Sequence, residues 1–304
     1  MFDGMINVYK EQGYTSNDVV ACLRGILHQR RIGHTGTLDP DAEGVLPVCL
    51  GTGTKLCSLI TDHDKVYEAS MRLGMTTDTQ DISGRVIARH TVEADEEAVR
   101  AALMNFVGGY AQIPPMYSAI KINGRKLYEL ARKGRTVERH PRPVTIYSID
   151  HISICLPDIS FTVRCSKGTY IRTLCNDVGD ALGCGGVLTA LKRTAVGRFT
   201  VQQSLTLGQI EELAGDEEKL LPHIISVEEM LADYPAASAA DERADRLLHN
   251  GNPLNPEDVV LQGRPGGTLR DGEELRIYDA SGHFTALYRY EKDRNRLRSS
   301  KMFV

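Results

Sequence analysis

The stretch from Arg31 to Gly44 constrains this chain more than any other. It holds Gly33, Gly36 and Gly44, Thr35 and Thr37, His34, Pro40 and the acids Asp39, Asp41 and Glu43, with too few apolar side chains to form core. A helical pattern precedes it, and the apolar run Val45 to Leu50 that follows reads as a buried strand. A polar loop fixed between two regular elements is where a chain commonly carries chemistry. Pro40 drives Asp39 out of the helical region into extended backbone, and the flanking glycines let a ligand approach the main chain. The same residues also fit a plain turn, with Asp39 hydrogen-bonded to its own backbone and His34 solvated. On these residues alone, turn and site stand equal.

Around the loop the chain reads as a mixture of strands and helices. Met5 to Tyr9 is a short strand, and Thr15 to Asp18 offer capping side chains for a helix with Val19, Val20, Leu23, Ile26 and Leu27 on one face. Gly51-Thr52-Gly53-Thr54-Lys55 lacks the spacing of a phosphate-binding loop and instead starts a helix before Leu56 to Ile60. Residues 65–74 alternate as a strand that carries Tyr67, and charged Lys65 and Glu68 nearby suggest a wet edge. Residues 95–106 are helical, Pro114-Pro115 breaks the chain, and Asn123-Gly124 signals a hairpin or turn. Val144 to Leu156 and Ile159 to Cys165 read as strands on either side of Pro157-Asp158. A helix opening at Lys167-Gly168-Thr169 runs through Leu174 and Val178 toward Leu182. It puts Arg172 in the first turns, where the macrodipole disfavours a cation and a carboxylate is the sensible partner.

Val187 to Phe199 returns as a strand or hairpin carrying Leu191. Helices follow over the acidic segment 208–233, then a candidate linker at Pro235 to Ala240 and a short helix over 241–249. Gly266 to Arg270 reads as a turn into a strand, and Glu274–Tyr278 and Phe284–Tyr290 as an antiparallel pair.

A chain of 304 residues suits one large domain plus a small one. Its 41% hydrophobic and 25% charged composition and mean hydropathy of -0.26 are ordinary for a soluble protein, without a membrane-spanning run or a secretory pattern. The seven cysteines form no CxxC pair, which supports neither zinc nor a redox centre and fits a reducing cytoplasm. The net charge of -4 conceals a strong asymmetry. Residues 101–200 carry fourteen lysines and arginines against six acids, whereas residues 201–250 carry three against eleven. Within the basic part, residues 121–142 hold eight cations: Lys121, Arg125, Lys126, Arg132, Lys133, Arg135, Arg139 and Arg142. Against only Glu129 and Glu138, this excess of one sign, with glycines and tyrosines, suits a mobile arm on phosphates better than a solvated helix face.

His34-Thr35-Gly36-Thr37-Leu38-Asp39-Pro40, followed by Glu43-Gly44-Val45-Leu46-Pro47, resembles the catalytic motif of the TruB family of tRNA pseudouridine synthases. Further segments resemble the family's in order: Lys65-Val66-Tyr67-Glu68, Gln112 to Lys121, Gly124 to Arg132, Ser166 to Leu174, and Leu191-Lys192-Arg193-Thr194. The likeness spans most of residues 4 to 200. One departure is Glu11, after Lys10, where the family typically has proline; it bears on the shape of that loop.

The resemblance implies an α+β fold: a catalytic domain over residues 1–234, built on a mixed, mostly antiparallel sheet flanked by helices, with a β-rich PUA-like RNA-binding module over 235–304. The tail's own residues fit a small β cap as well as that module. The resemblance implies isomerisation of uridine 55 in the tRNA T arm, which breaks the N1–C1′ bond and rejoins the uracil through C5 without cofactor or metal. Asp39 becomes the essential carboxylate, and Arg172 would hold it by a bidentate ion pair that keeps its pKa low. Tyr67 and Tyr170 would border the flipped uracil, Leu191 would close the pocket, and Tyr67 would assist loss of the C5 proton. His34 would fill the gap left in the RNA or stack with the extruded bases, and Lys10 joins the substrate-binding set. Lys121, Arg125, Lys126, Arg132, Lys133 and Arg135 would grip backbone phosphates.

The expected partner is tRNA alone, bound by a monomer with no obligatory protein partner. The competing readings are a synthase acting on another RNA, a chaperone that folds tRNA without modifying it, and a glycoside hydrolase. The last would need two catalytic carboxylates.

Overall fold

A continuous apolar run builds a strand buried on both faces, and the first strands of this chain show how it is used. In the computed structural model, which describes residues 1–122, 124–263 and 267–303, Ile6 and Val8 face one way and Met5 the other. Leu46, Val48 and Leu50 likewise oppose Val45 and Cys49.

The strands in chain order are β1 (Gly4–Lys10), β2 (Ile32–His34), β3 (Glu43–Leu50), β4 (Lys65–Leu73), β5 (Met75–Thr77), β6 (Val86–Arg89), β7 (Gly108–Gln112), β8 (Lys121–Ile122) and β9 (Arg125–Lys126). They continue as β10 (Arg142–Cys155), β11 (Asp158–Cys165), β12 (Gly186–Val196), β13 (Phe199–Thr200), β14 (Ile224–Ile225), β15 (Ala236–Ala239), β16 (Val259–Leu261), β17 (Glu274–Tyr278), β18 (Phe284–Glu291) and β19 (Arg296–Met302). The helices are α1 (Ser16–Ile26), α2 (Cys57–Thr61), α3 (Glu96–Met104), α4 (Leu127–Ala131), α5 (Ile171–Ala181), α6 (Leu207–Ala214), α7 (Glu217–Leu220), α8 (Val227–Met230) and α9 (Glu242–His249).

The main sheet runs β14-β1-β3-β12-β4-β11-β10-β7, with β2 on β3 and β13 on β12. Every pairing is antiparallel except β12 with β3. The expected mixed, mostly antiparallel sheet is therefore what the chain forms. α1 starts at the Thr15 cap, where Thr15 and Asp18 satisfy each other's backbone N–H groups. With α6 it covers β1 and β3, while α3 and α5 cover β4, β10, β11 and β12.

A second sheet, β16-β15-β17-β18-β19, follows with α9 packed on it. Leu287 and Phe303 of this sheet share a core with Met5, Val45, Cys49 and Leu56 of the first, so the β-rich module is docked.

Two local expectations need correction. Residues 235–240 are not a linker: Ala236–Ala239 form β15, paired on both sides, with Ala237 fully buried. Small side chains at that point let the strand lie flush in the module's core. Tyr67 is not at a wet edge either, because β4 lies between β12 and β11 and both Tyr67 and Lys65 are buried. Lys65 spends its charge on the carbonyls of Thr61 and His63. The hairpin expected near Asn123-Gly124 is present as β8 on β9, with Asn123 itself outside the described residues. Gly266 of the Gly266–Arg270 turn is also outside them; residues 267–270 carry no regular structure before β17 begins at Glu274.

Candidate active site

The Asp39 loop is clamped by backbone contacts on both sides of the carboxylate. Thr35 donates both its N–H and its hydroxyl to the Pro47 carbonyl, at 3.1 and 3.2 Å. The Ser16 hydroxyl, at the start of α1, accepts the Leu38 N–H at 2.9 Å and donates to the Leu38 carbonyl at 3.2 Å. The Pro40 carbonyl accepts from Gly13 N–H at 2.9 Å and Lys10 Nζ at 3.1 Å. Ala42 N–H closes a turn on the Asp39 carbonyl. At the far end Gly44 has φ +106°, and a Cβ there would lie 2.3 Å from the Arg193 carbonyl, so glycine is needed where β3 meets β12. Both a turn and a candidate site, the loop holds Asp39 between two regular elements.

Arg172, in the second residue of α5, reaches Asp39 Oδ2 through Nε at 2.9 Å. The expected two-pronged grip on the carboxylate is not made. Nη1 donates to the Thr79 carbonyl at 3.0 Å and faces Asp81 Oδ2 at 3.3 Å, and Nη2 donates to the Tyr117 carbonyl at 2.9 Å. Asp81 is itself fixed by the hydroxyls of Thr79 and Ser83. The early-helix cation thus has two carboxylates, and its side chain is almost fully buried.

Asp39 keeps 43% of its side-chain surface exposed, and protein covers the rest. Burial pushes its pKa above the usual carboxylate value, against the pull of Arg172 and Lys10. The low pKa expected from the Arg172 pairing is therefore reversed in direction.

Cross-strand register brings other expected residues together. Tyr67 on β4 stands opposite Arg193 on β12, and Leu191, two residues earlier, stands opposite Ala69. Leu191 packs against the core cluster that holds Tyr67, Leu38 and Ala42. Tyr170 caps α5, and its backbone is gripped at both polar atoms by the buried Gln112 side chain, at 2.8 and 3.0 Å. Burial raises the pKa of both phenols. His34, at the end of β2, uses Nδ1 to accept the Gly36 N–H, and burial lowers its pKa, which favours the neutral ring.

Lys10 is the expected residue that the structure turns away from substrate. It is fully buried, and Nζ donates to the carbonyls of Glu11 (3.1 Å), Tyr14 (2.6 Å) and Pro40 (3.1 Å). An ammonium has three protons, and all are used on the backbone. Burial brings its pKa down to about 8.

In the basic arm, β8, β9 and the five-residue α4 leave Lys121, Arg125, Arg132, Lys133 and Arg135 exposed. Leu127 and Leu130 are buried as its foot, and Tyr128 lies between Lys126 and Arg132 at 5.4 and 5.5 Å from its ring centre. The arm is not one helix face, because α4 is too short to carry the run.

Ser16, Asp81, Gln112 and Arg193 are the residues whose parts in the site the sequence reading did not assign. Asp81 stands in the polar stretch Thr76 to Gly84, a density of hydroxyls and acids that was a usable signal. Ser16 lies in the capping stretch, and Gln112 and Arg193 lie in motif segments, but their contacts were not legible, because their partners lie 22, 58 and 148 residues away.

Comparison with known proteins gives two adjoining family matches. "TruB family pseudouridylate synthase (N terminal domain)" covers residues 24–171, and "tRNA pseudouridylate synthase B C-terminal domain" covers residues 172–232. A tRNA pseudouridine synthase B of Lachnoclostridium phytofermentans is 48% identical over 99% of this chain and 100% of its own length. One of Clostridium kluyveri is 46% identical over 94% of each. Among solved structures, a chain of a Cbf5-Nop10-Gar1 complex is 25% identical, with a TM-score of 0.71 over 99% of this chain and 85% of that one.

Proposed function

The chain belongs to the TruB family and makes pseudouridine in tRNA, and from that premise we propose that Asp39 is the essential group and that uridine 55 of the T arm is its target. The reaction is an isomerisation: the N1–C1′ bond breaks, a C5–C1′ bond forms, C5 loses its proton and N1 gains one. The single observation that carries the assignment is the Asp39 carboxylate itself, partly exposed on a loop clamped at Leu38 and Pro40 and held by Arg172 at 2.9 Å. A carboxylate that attacks the sugar, or takes a proton from it, must be ionised and fixed in direction. Arg172 and the backbone clamps serve those two needs.

The target base is stacked in folded RNA and must be flipped out, at a cost of about a few kcal/mol. Tyr67, Tyr170 and Leu191 then border the uracil, and His34, as a neutral ring, stacks in the vacated space. Residues 1–234 form the catalytic part and residues 235–304 the RNA-binding module. Lys121, Arg125, Lys126, Arg132, Lys133 and Arg135 meet backbone phosphates. Lys10 acts from beneath the loop, through the Pro40 carbonyl. The enzyme works as a monomer in a reducing cytoplasm, a setting that suits its seven free cysteines.

One unmodified tRNA transcript incubated with purified protein, without added cofactor, tests the reading. Mass-spectrometric mapping should find pseudouridine at position 55 alone; modification elsewhere would sink the T-arm assignment. Asp39→Asn should bind the same transcript within about threefold of wild type, because many phosphate contacts supply affinity. Tritium release from C5-labelled uridine should fall by at least about a thousandfold. Wild-type release from that variant would remove Asp39 from its role.

A further inference from the structure

Arg193, 2% exposed, is the largest fully buried side chain among the described residues. Its Nε donates to the Val45 carbonyl at 2.8 Å and its Nη2 to the Gly36 carbonyl at 3.3 Å. Among the described residues no carboxylate forms an ion pair with it, whereas buried Arg172 has both Asp39 and Asp81. A buried guanidinium without an anion is costly, and backbone carbonyls compensate only part of its charge. What stands directly across from it is Tyr67: the two are register partners on β12 and β4, on the same face of the sheet, and both are buried. The guanidinium favours negative charge on the phenol oxygen, against the burial that opposes it.

We infer that Arg193 is the positioning residue of Tyr67, fixing the direction of its hydroxyl from inside the sheet while tying it to the loop that carries Asp39. The inference rests on the reading of Tyr67 as a residue that touches the uracil. A guanidinium can only donate, so a phenol oxygen turned toward Arg193 keeps its own O–H for a partner elsewhere. The same cation lowers the cost of negative charge on that oxygen. Cys165 on β11 and Asp39 on the loop oppose such charge, and Arg193 favours it. Because Nη2 holds the Gly36 carbonyl, three residues before Asp39, one guanidinium ties the strand of Tyr67 to the loop of Asp39. Lysine has neither the planar fork nor the reach to serve Val45, Gly36 and Tyr67 together.

A double-mutant cycle with Arg193→Lys and Tyr67→Phe tests this, read by single-turnover tritium release at saturating enzyme and by filter binding of tRNA. Arg193→Lys should slow turnover by about tenfold or more and change affinity by less than about threefold; in the Tyr67→Phe background the same substitution should change turnover by less than about twofold. Equal slowing in both backgrounds would mean that Arg193 acts only on the loop or the fold, and overturns the inference, as does an unslowed Arg193→Lys. If Tyr67→Phe alone turns over like wild type, the uracil-contact reading of Tyr67 fails first and takes this inference with it.

Should Tyr67→Phe leave no measurable turnover, tyrosine 13Cζ NMR at pH 8 decides, with Tyr67 assigned by its missing signal in that variant. The Tyr67 signal should move in Arg193→Lys while the other eleven of the twelve tyrosines hold; an unmoved signal overturns the inference. If Arg193→Lys does not fold, Arg193→Gln replaces it in both measurements with the same two outcomes.

Discussion

Arg172 makes four contacts from one buried guanidinium: Asp39, the Thr79 carbonyl, Asp81 and the Tyr117 carbonyl. A lysine at that position can keep the charge but only one or two of those directions. Arg172→Lys should therefore lose roughly a hundredfold in single-turnover rate, with affinity for tRNA changed far less. Normal turnover in that variant would show that the pairing with Asp39 is dispensable. The pH dependence follows from Asp39. Burial raises its pKa above the ordinary 3.8, so between 3.8 and the raised value the folded protein holds a proton that the unfolded chain has released. Stability contributed by this group therefore falls as pH rises through that window. On the role proposed for Asp39, activity needs the ionised form and rises through it. The acid limb of the rate profile should lie above pH 3.8; a midpoint at or below that value would mean that Arg172 outweighs burial. The motif made Asp39 and Arg172 legible as partners, because both occur in ordered motif segments. The direction of the Asp39 shift was not legible, since it depends on how much protein surrounds the carboxylate.

The loop between β2 and β3 keeps its shape through elements that do not belong to it, namely β1, α1 and β12. Lys10 at the end of β1 is the clearest case, with three carbonyl partners and no exposure. Lys10→Met keeps the aliphatic stem and strands the carbonyls of Glu11, Tyr14 and Pro40. Hydrogen bonds from a charged donor contribute about 1.5–3 kcal/mol each, though not additively, so the variant should lose several kcal/mol. Thermal unfolding should show it, at about 2–4 °C for each kcal/mol in a chain of this size. Turnover should fall too, because the Pro40 carbonyl adjoins Asp39, and an unchanged melting temperature would contradict the burial of the ammonium.

Sequence patterns read β1, α1, β3, β4, α3, β10, β11 and α5 well, since each is long or strongly periodic. They missed β7, β15, β16 and β19, where short or mixed runs become strands only because a neighbouring strand supplies hydrogen bonds. Ala236–Ala239 looked like a linker for that reason: alanines carry no strand signal, and their place between β16 and β17 is a tertiary fact.

At the scale of the whole molecule, charge is separated rather than scarce. A net charge of -4 would repel RNA if spread evenly, yet the acids cluster in residues 201–250 and the cations in the middle of the chain. The arm from residue 121 to 142 presents Lys121, Arg125, Arg132, Lys133 and Arg135 to solvent, while Leu127 and Leu130 anchor it. Exposed cations on an anchored foot favour phosphate binding without base readout. Arg132, Lys133 and Arg135 lie just beyond α4 and make no ion pair among the described residues, so replacing all three with alanine leaves the fold's contacts almost intact. Arg132 does rest on the Tyr128 ring, so Tyr128 loses one of its two cations. The triple variant should bind different tRNAs more weakly to a similar degree. In a plot of log affinity against log salt, each lost phosphate contact should flatten the slope by about 0.7–0.9. Turnover at saturating tRNA should fall much less than affinity, since Asp39, Tyr67 and Arg172 belong to other elements. Salt titrations of wild type and triple variant against one transcript decide the matter: parallel lines would mean that these three cations are merely solvated and that the RNA is held elsewhere.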